Sequence, residues 1–173
     1  HKDASKFSYL GLYSLQHRGE ASAGIVSANN KKVFSHKAMG LVSDVFAEHS
    51  LSGLRGELSV GHVRYSTTGS SNPKNIQPFL FKSKFGDIAI AHNGNLINAL
   101  SLRKQMEQKG SIFQTTMDSE VIAHLLARSP EKDPKEAIAG ALSLLIGAYI
   151  LVLMRDHILF GARDTFGWGP LCL

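Results

Sequence analysis

The sequence predicts an α+β fold in which helices lie outside antiparallel sheets. Strand-like runs come in pairs joined by short turns, at Asn29-Asn30 and at Arg155-Asp156-His157. Pairs of helical segments separate them, without the strict strand–helix alternation that a parallel sheet needs. The chain has 173 residues, enough for one domain with a substantial core.

Ser5 to Gln16 reads as the first helix, with Phe7, Leu10 and Tyr13 or Ser14 at helical spacing and Gly19 beyond as a stop. Leu15-Gln16-His17-Arg18-Gly19-Glu20 then reads as a helix C-terminus with basic residues near the negative end of its dipole. Ala23–Ala28 and Lys32–Ser35 flank Asn29-Asn30 as a hairpin, and Val42–Leu54 as short irregular helix. Glu57–Tyr65 is a strand, with Leu58, Val60, His62 and Arg64 on one face. A loop rich in hydroxyls and turn formers follows, from Ser66 to Pro73.

Asp87–Ala91 reads as a strand that ends in a turn, His92-Asn93-Gly94-Asn95. A helix follows at once, with Leu96, Ala99, Leu100 and Met106 at helical spacing and Gly110 as its stop. Asp118 stands at the start of a further helix carrying Val121, Ile122, Leu125 and Leu126. Asp133-Pro134-Lys135-Glu136 opens the next with a cap, a Pro at the first position and a capping-box Glu. Its buried stripe is Ala137, Ile138, Ala141, Leu142 and Leu145. Ala148–Met154 and Ile158–Ala162 close the chain as a hairpin.

With 43% hydrophobic and 19% charged residues, the composition is that of an ordinary globular protein. The net charge of +5 is scattered and lacks interleaved aromatics, which points to a solvated basic surface and no nucleic-acid partner. No apolar run reaches membrane-spanning length, because Gly140, Ser143, Gly147 and Tyr149 break the longest one; no membrane partner is expected. The opening residues lack the pattern of a signal peptide. A single cysteine, Cys172, excludes an internal disulfide and fits a reducing, cytoplasmic compartment. The start without Met and the end on Cys172-Leu173 read as a piece of a longer chain.

Three features carry candidate chemistry. Asn93 and the Gly94 N–H set two hydrogen-bond donors side by side, which is what an oxyanion hole requires; an Asn-Gly turn is the plainer alternative. Arg64 on a strand face needs a carboxylate or a pocket, since buried Arg is rare unless paired. Asp118 is either an N-cap or a substrate ligand.

Four ordered motifs then bring in a family: Leu15-Gln-His-Arg-Gly-Glu20 with Ala23-Gly24-Ile25, Gly61-His-Val-Arg-Tyr-Ser-Thr67, Ala91-His-Asn-Gly-Asn95 and Thr116-Met-Asp-Ser-Glu120. Together they resemble the glutaminase domain of class II glutamine amidotransferases, in its amidophosphoribosyltransferase branch. The branch rests on His17, on Arg64-Tyr65-Ser66-Thr67 and on Gly110–Thr115. The resemblance implies an N-terminal-nucleophile hydrolase fold: a four-layer αββα sandwich of two antiparallel sheets between helices. It implies hydrolysis of glutamine, with ammonia passed to phosphoribosyl pyrophosphate in a C-terminal transferase domain. By position, Arg64 would hold the glutamine α-carboxylate and Asp118 the α-amino group, with Tyr65 and Thr67 lining the pocket. Asn93 and Gly94 would form the oxyanion hole, and Arg18 would stand beside the nucleophile. No cofactor is implied in this domain; Mg2+, with an iron–sulfur cluster as an option, belongs to the C-terminal part. A homo-oligomer is implied for the intact enzyme.

The chain departs from the family pattern in three places. The N-terminal strand that would carry the nucleophilic Cys is missing, and Cys172 lies where the family has an ordinary strand. Glu20-Ala21 replaces Gln-Glu, and Trp168-Gly169 replaces an apolar residue and Arg. The chain is therefore expected to be truncated at both ends, to fold incompletely and not to hydrolyse glutamine by itself. Two alternatives stay open: the same domain on another class II amidotransferase, such as a glucosamine-phosphate synthase, and a module that binds glutamine without cleaving it.

Overall fold

A computed structural model describes residues 1–30, 32–65, 72–83, 86–155 and 157–172. Its first half builds a three-stranded antiparallel sheet from β1 (Ser22–Ala28), β2 (Val33–Met39) and β3 (Leu58–Arg64), in the order β2-β1-β3. Helices α1 (Ala4–Ser14), α2 (Val42–Val45) and α3 (Glu48–Gly53) belong to this half. The second sheet runs β4 (Phe79–Ser83), β5 (Gly86–Leu96), β6 (Gly147–Arg155) and β7 (Ile158–Arg163), in that order and all antiparallel. Its helices are α4 (Ala99–Gln108), α5 (Ser119–Arg128) and α6 (Pro134–Leu142).

Strand alternation divides the apolar residues into three cores, and three cores separate four layers. Ile25 of β1 faces outward, onto Leu12, Val42, Val45 and Phe46 of the first helical layer. Its neighbour Val26 faces inward with Val60, Ala89, Ala91 and Met154, which join the two sheets. Ile88, Ile90, Leu151 and Leu153 face the other way, onto Val121, Ile122 and Ile138 of the second helical layer. Each fully buried Ile or Leu of this kind contributes about 1.5–3 kcal/mol. The four-layer αββα sandwich expected from the motifs is the fold observed.

Asp133 caps α6 by accepting the Lys135 N–H at 2.7 Å, with Pro134 at the first position. Gly110, at φ +85°, follows α4 as its stop, and the Ser111 N–H returns to the Met106 carbonyl.

One expectation needs correction, and α1 packs by a face that its apolar spacing does not mark. β5 does not turn at His92-Asn93-Gly94-Asn95; it runs on to Leu96, paired with β6 as far as Leu96↔Gly147, and α4 starts only at Ala99. Glycine at 94 serves close approach instead of a turn. Its φ is +145°, and a Cβ there would stand 2.1 Å from the Ala148 carbonyl oxygen. The helical spacing of Phe7, Leu10 and Tyr13 does not mark the buried face of α1, since all three are exposed. The outward face of β3 is small, so α1 approaches closely through Ser5, Ser8 and Leu12. Leu12 packs on Gly61, Ser8 bonds Ser59 at 2.6 Å, and Ser5 donates to the Leu54 carbonyl.

Candidate active site

A cavity of about 670 Å3 opens where the core between the sheets gives way to polar residues. On the inward face of β3, Leu58 and Val60 are followed by His62 and Arg64. On β5, Ala89 and Ala91 are followed by Asn93, and on β6 Met154 and Val152 lead back to Ile150. The two-residue period thus carries each strand's inner face from core into site. Arg18 joins from a 3₁₀ turn, Gln16–Arg18, held by Gln16, which accepts the Val42 N–H at 2.6 Å. Gly19 packs that turn onto β3, because a Cβ would meet the Val63 and Arg64 backbone at 2.8 Å.

Arg64 is half-buried, and among the described residues no carboxylate pairs with it. A half-buried guanidinium with no counter-charge among the described residues is a receptor for an anion. Asp118 supplies the opposite charge on the same cavity. It stands at the N-cap of α5 but with helical backbone angles, and its side chain makes no cap bond. Its Oδ2 instead accepts the Leu96 N–H at 3.0 Å, and its Oδ1 accepts from Ser119 at 3.2 Å with His92 Nδ1 at 3.5 Å. Burial alone would raise the Asp118 carboxyl; the hydrogen bonds from His92, Leu96 and Ser119 outweigh it and hold the group below its usual range. The plain capping reading of Asp118 therefore does not hold.

β4 stops pairing with β5 at Phe79↔Ile90. Two residues further on, the Gln77 side chain takes over: its Oε1 accepts the His92 N–H at 2.7 Å and its Nε2 donates to the His92 carbonyl at 3.2 Å. Strand alternation puts the Gly94 and Leu96 N–H groups on the same edge as that of His92. The Leu96 N–H goes to Asp118, which leaves the Gly94 N–H toward the cavity between two occupied neighbours.

His92 itself is buried, with Nδ1 2.8 Å from Ser119 Oγ and Nε2 without a partner among the described residues. His62 also lines the cavity. Burial, with His92 and Arg64 nearby, lowers its pKa to about 4, so it is neutral at neutral pH.

Arg18, Arg64, Tyr65, Asn93, Gly94 and Asp118 thus all border one cavity. Thr67 lies outside the described residues. Cys172 is exposed and takes no part in the lining. Gly169 lets the final segment pack on Ile150, where a Cβ would fall 2.1 Å from Cδ1, and Pro170 borders the cavity, while Trp168 points into solvent. Among the described residues no group of three His, Cys, Asp or Glu could hold a metal. Gln77 is the contributor that no sequence signal marked, since its side-chain bonds depend on where β4 ends.

A family profile described as a glutamine amidotransferase domain matches residues 62–173, well over half of the chain. The chain belongs to that family. The domain is 49% identical over 173 residues to the amidophosphoribosyltransferase of Methanocaldococcus jannaschii, covering 99% of this chain and 37% of that protein. A solved structure described as the allosteric regulatory enzyme of purine biosynthesis superposes with a TM-score of 0.91 at 46% identity, over 95% of this chain and 36% of that one. The Bacillus subtilis glutamine phosphoribosylpyrophosphate amidotransferase, complexed with ADP and GMP, gives 0.88 at 45% identity, over 95% and 35%. The domain therefore spans little more than a third of the relatives it matches.

Proposed function

We propose that this domain is the glutaminase part of an amidophosphoribosyltransferase, releasing ammonia from glutamine for transfer to phosphoribosyl pyrophosphate in purine biosynthesis. The observation that carries it is the pair of opposite charges on one cavity: an Arg64 guanidinium without a carboxylate partner among the described residues and an Asp118 carboxylate that does not cap its helix. That pair is complementary to the two charged ends of a free α-amino acid. Arg64 grips the α-carboxylate and Asp118 the α-ammonium, which sets the side-chain amide toward Asn93 and Gly94.

The reaction on this reading is acyl transfer. A cysteine thiolate adds to the amide carbon, and the carbonyl oxygen becomes an oxyanion held by the Asn93 amide and the Gly94 N–H. The proton given up by the thiol goes to the amide nitrogen, which departs as ammonia and leaves a thioester; water then hydrolyses the thioester to glutamate and returns the thiol. On this reading the thiolate belongs to an N-terminal strand outside the present sequence, since Cys172, the one cysteine of the 173 residues, is exposed and does not line the cavity. Mg2+ and any iron–sulfur cluster belong to the transferase part and take no role in these steps.

The deciding experiment uses the full-length protein. It measures glutamate release from glutamine, then compares phosphoribosyl pyrophosphate with fructose 6-phosphate as acceptor. Phosphoribosylamine formation supports the reading; amination of the hexose would move the domain to a glucosamine-phosphate synthase. Glutamine binding without glutamate release would make it a sensor.

A further inference from the structure

We infer that Gln77 is a positioning residue for the oxyanion site: its side-chain amide replaces the missing stretch of β4 and keeps the Gly94 N–H aimed into the cavity. The inference rests on the glutaminase reading and names a residue that does not itself touch the reacting atoms.

Gln77 is 2% exposed and is held from both sheets. On the side of the first sheet its backbone lies against β1, where a Cβ on Gly24 would come within 2.2 Å of the Gln77 carbonyl oxygen. Lys37 Nζ, on β2, donates to the flanking carbonyls of Ile76 at 3.0 Å and Pro78 at 3.4 Å. The adjacent Asn75 donates to Thr116 Oγ1 at 2.9 Å, in the loop that leads to Asp118. With the backbone clamped in this way, the side chain reaches the second sheet as a fixed two-point connector. It binds both the N–H and the carbonyl of His92.

The geometric consequence falls on Gly94. The peptide carrying its N–H lies between the two His92 peptide groups held by Gln77 and the Leu96 N–H held by Asp118. Gly94 is also at φ +145°, outside the conformations that most residues favour, so its own backbone preference does little to fix the direction of that N–H. An oxyanion donor is effective only when it is aligned before charge develops. If the bonds of Gln77 are removed, β5 keeps its β6 partner and the fold persists, but the open edge is held from one side only. The loss then falls on the transition state more than on substrate binding, because Arg64 and Asp118 keep their positions on other elements.

The test is Gln77→Met, which keeps length and apolar volume but removes both hydrogen bonds, with Gln77→Ala as a second variant, in the full-length protein. Glutamine-dependent kcat should fall by about 10–100-fold with KM within about threefold of the parent, as expected for a displaced transition-state donor. Activity with free ammonia should be unchanged. A rise in KM equal to the loss in kcat, loss of the ammonia-dependent activity in both variants, or no effect at all would overturn the inference. Wild-type protein that releases no glutamate would sink the glutaminase reading itself, a result distinct from wild-type turnover with unaffected variants.

Discussion

Arg64 and Asp118 reach the cavity from different layers, one at the end of β3 and the other at the start of α5, so each can be removed without dismantling the other. Arg64→Ala in the full-length protein should raise the KM for glutamine by about 10–100-fold, the worth of a charge-assisted pair, and leave kcat with ammonia intact. An unchanged KM would remove Arg64 from the pocket. Asn93 should behave differently, because an oxyanion forms only in transit. Asn93→Ala is expected to lower kcat about 10²–10³-fold with little change in KM, and a pure KM effect would make it a binding residue. His62 contributes through pH. Its folded pKa, about 4, lies below the ordinary value of 6.5, so between those values the unfolded chain binds a proton that the native state refuses. Stability should therefore fall as pH drops from about 6.5 to 4, by up to about 3 kcal/mol before allowance for water in the cavity, and level off below. Asp118, whose carboxyl is held low, has the same sign but acts in a lower window, below its ordinary 3.8. Urea midpoints measured across pH 4–7 check the assignment: His62→Gln should flatten that slope, and an unchanged slope would point to another group.

At the scale of the element, two glycines with opposite surroundings make a matched experiment. Gly94 sits at φ +145° against the Ala148 carbonyl, whereas Gly140 lies within α6 with nothing near its missing Cβ. Gly94→Ala should destabilise the fold by more than about 2 kcal/mol, and Gly140→Ala should stabilise it by about 0.5–1 kcal/mol. Thermal melts of the two variants test both signs at once. The same positions show what could be read from the sequence. Elements whose signals are local were legible: the Asp133-Pro134 cap, the Gly110 stop and the alternation that put His62 and Arg64 on one face of β3. Gly94 was misread as a turn because a glycine in sequence does not say whether it bends its own strand or admits a neighbouring one. The partner that decides, β6, lies some fifty residues further along the chain. The spacing that marked α1 as a helix did not show which face it buries: apolar spacing counts side chains, while Gly61 and Ser59 opposite favour a close, small interface.

Across the whole molecule, the site is the place where one packing scheme runs out. Both sheets spend their inner faces on each other up to Val60 and Ala91, and beyond those residues the same faces carry Arg64 and Asn93. Motif residues that lie far apart in sequence could therefore be assigned to one site from resemblance, but their convergence depends on the stacking of the sheets. Gln77 and the paired bonds of His92 were invisible for that reason. The only thiol of the 173 residues is not among those that line the cavity: Cys172 is exposed on the closing segment, while Asn93 and Gly94 border the cavity. Proximity decides nucleophilic catalysis, since a thiolate must come within about 3–3.5 Å of the carbonyl carbon to react. In the full-length protein, Cys172→Ser should thus leave glutamine-dependent activity within about twofold of the parent, the change expected of a surface substitution away from the chemistry. Alkylation of that variant should still abolish the glutamine-dependent reaction and spare the ammonia-dependent one, because on the proposed reading the nucleophilic thiol is a different one, in an N-terminal strand. Loss of glutamine turnover in Cys172→Ser, with ammonia use preserved, would place the nucleophile on the closing segment and overturn the N-terminal assignment.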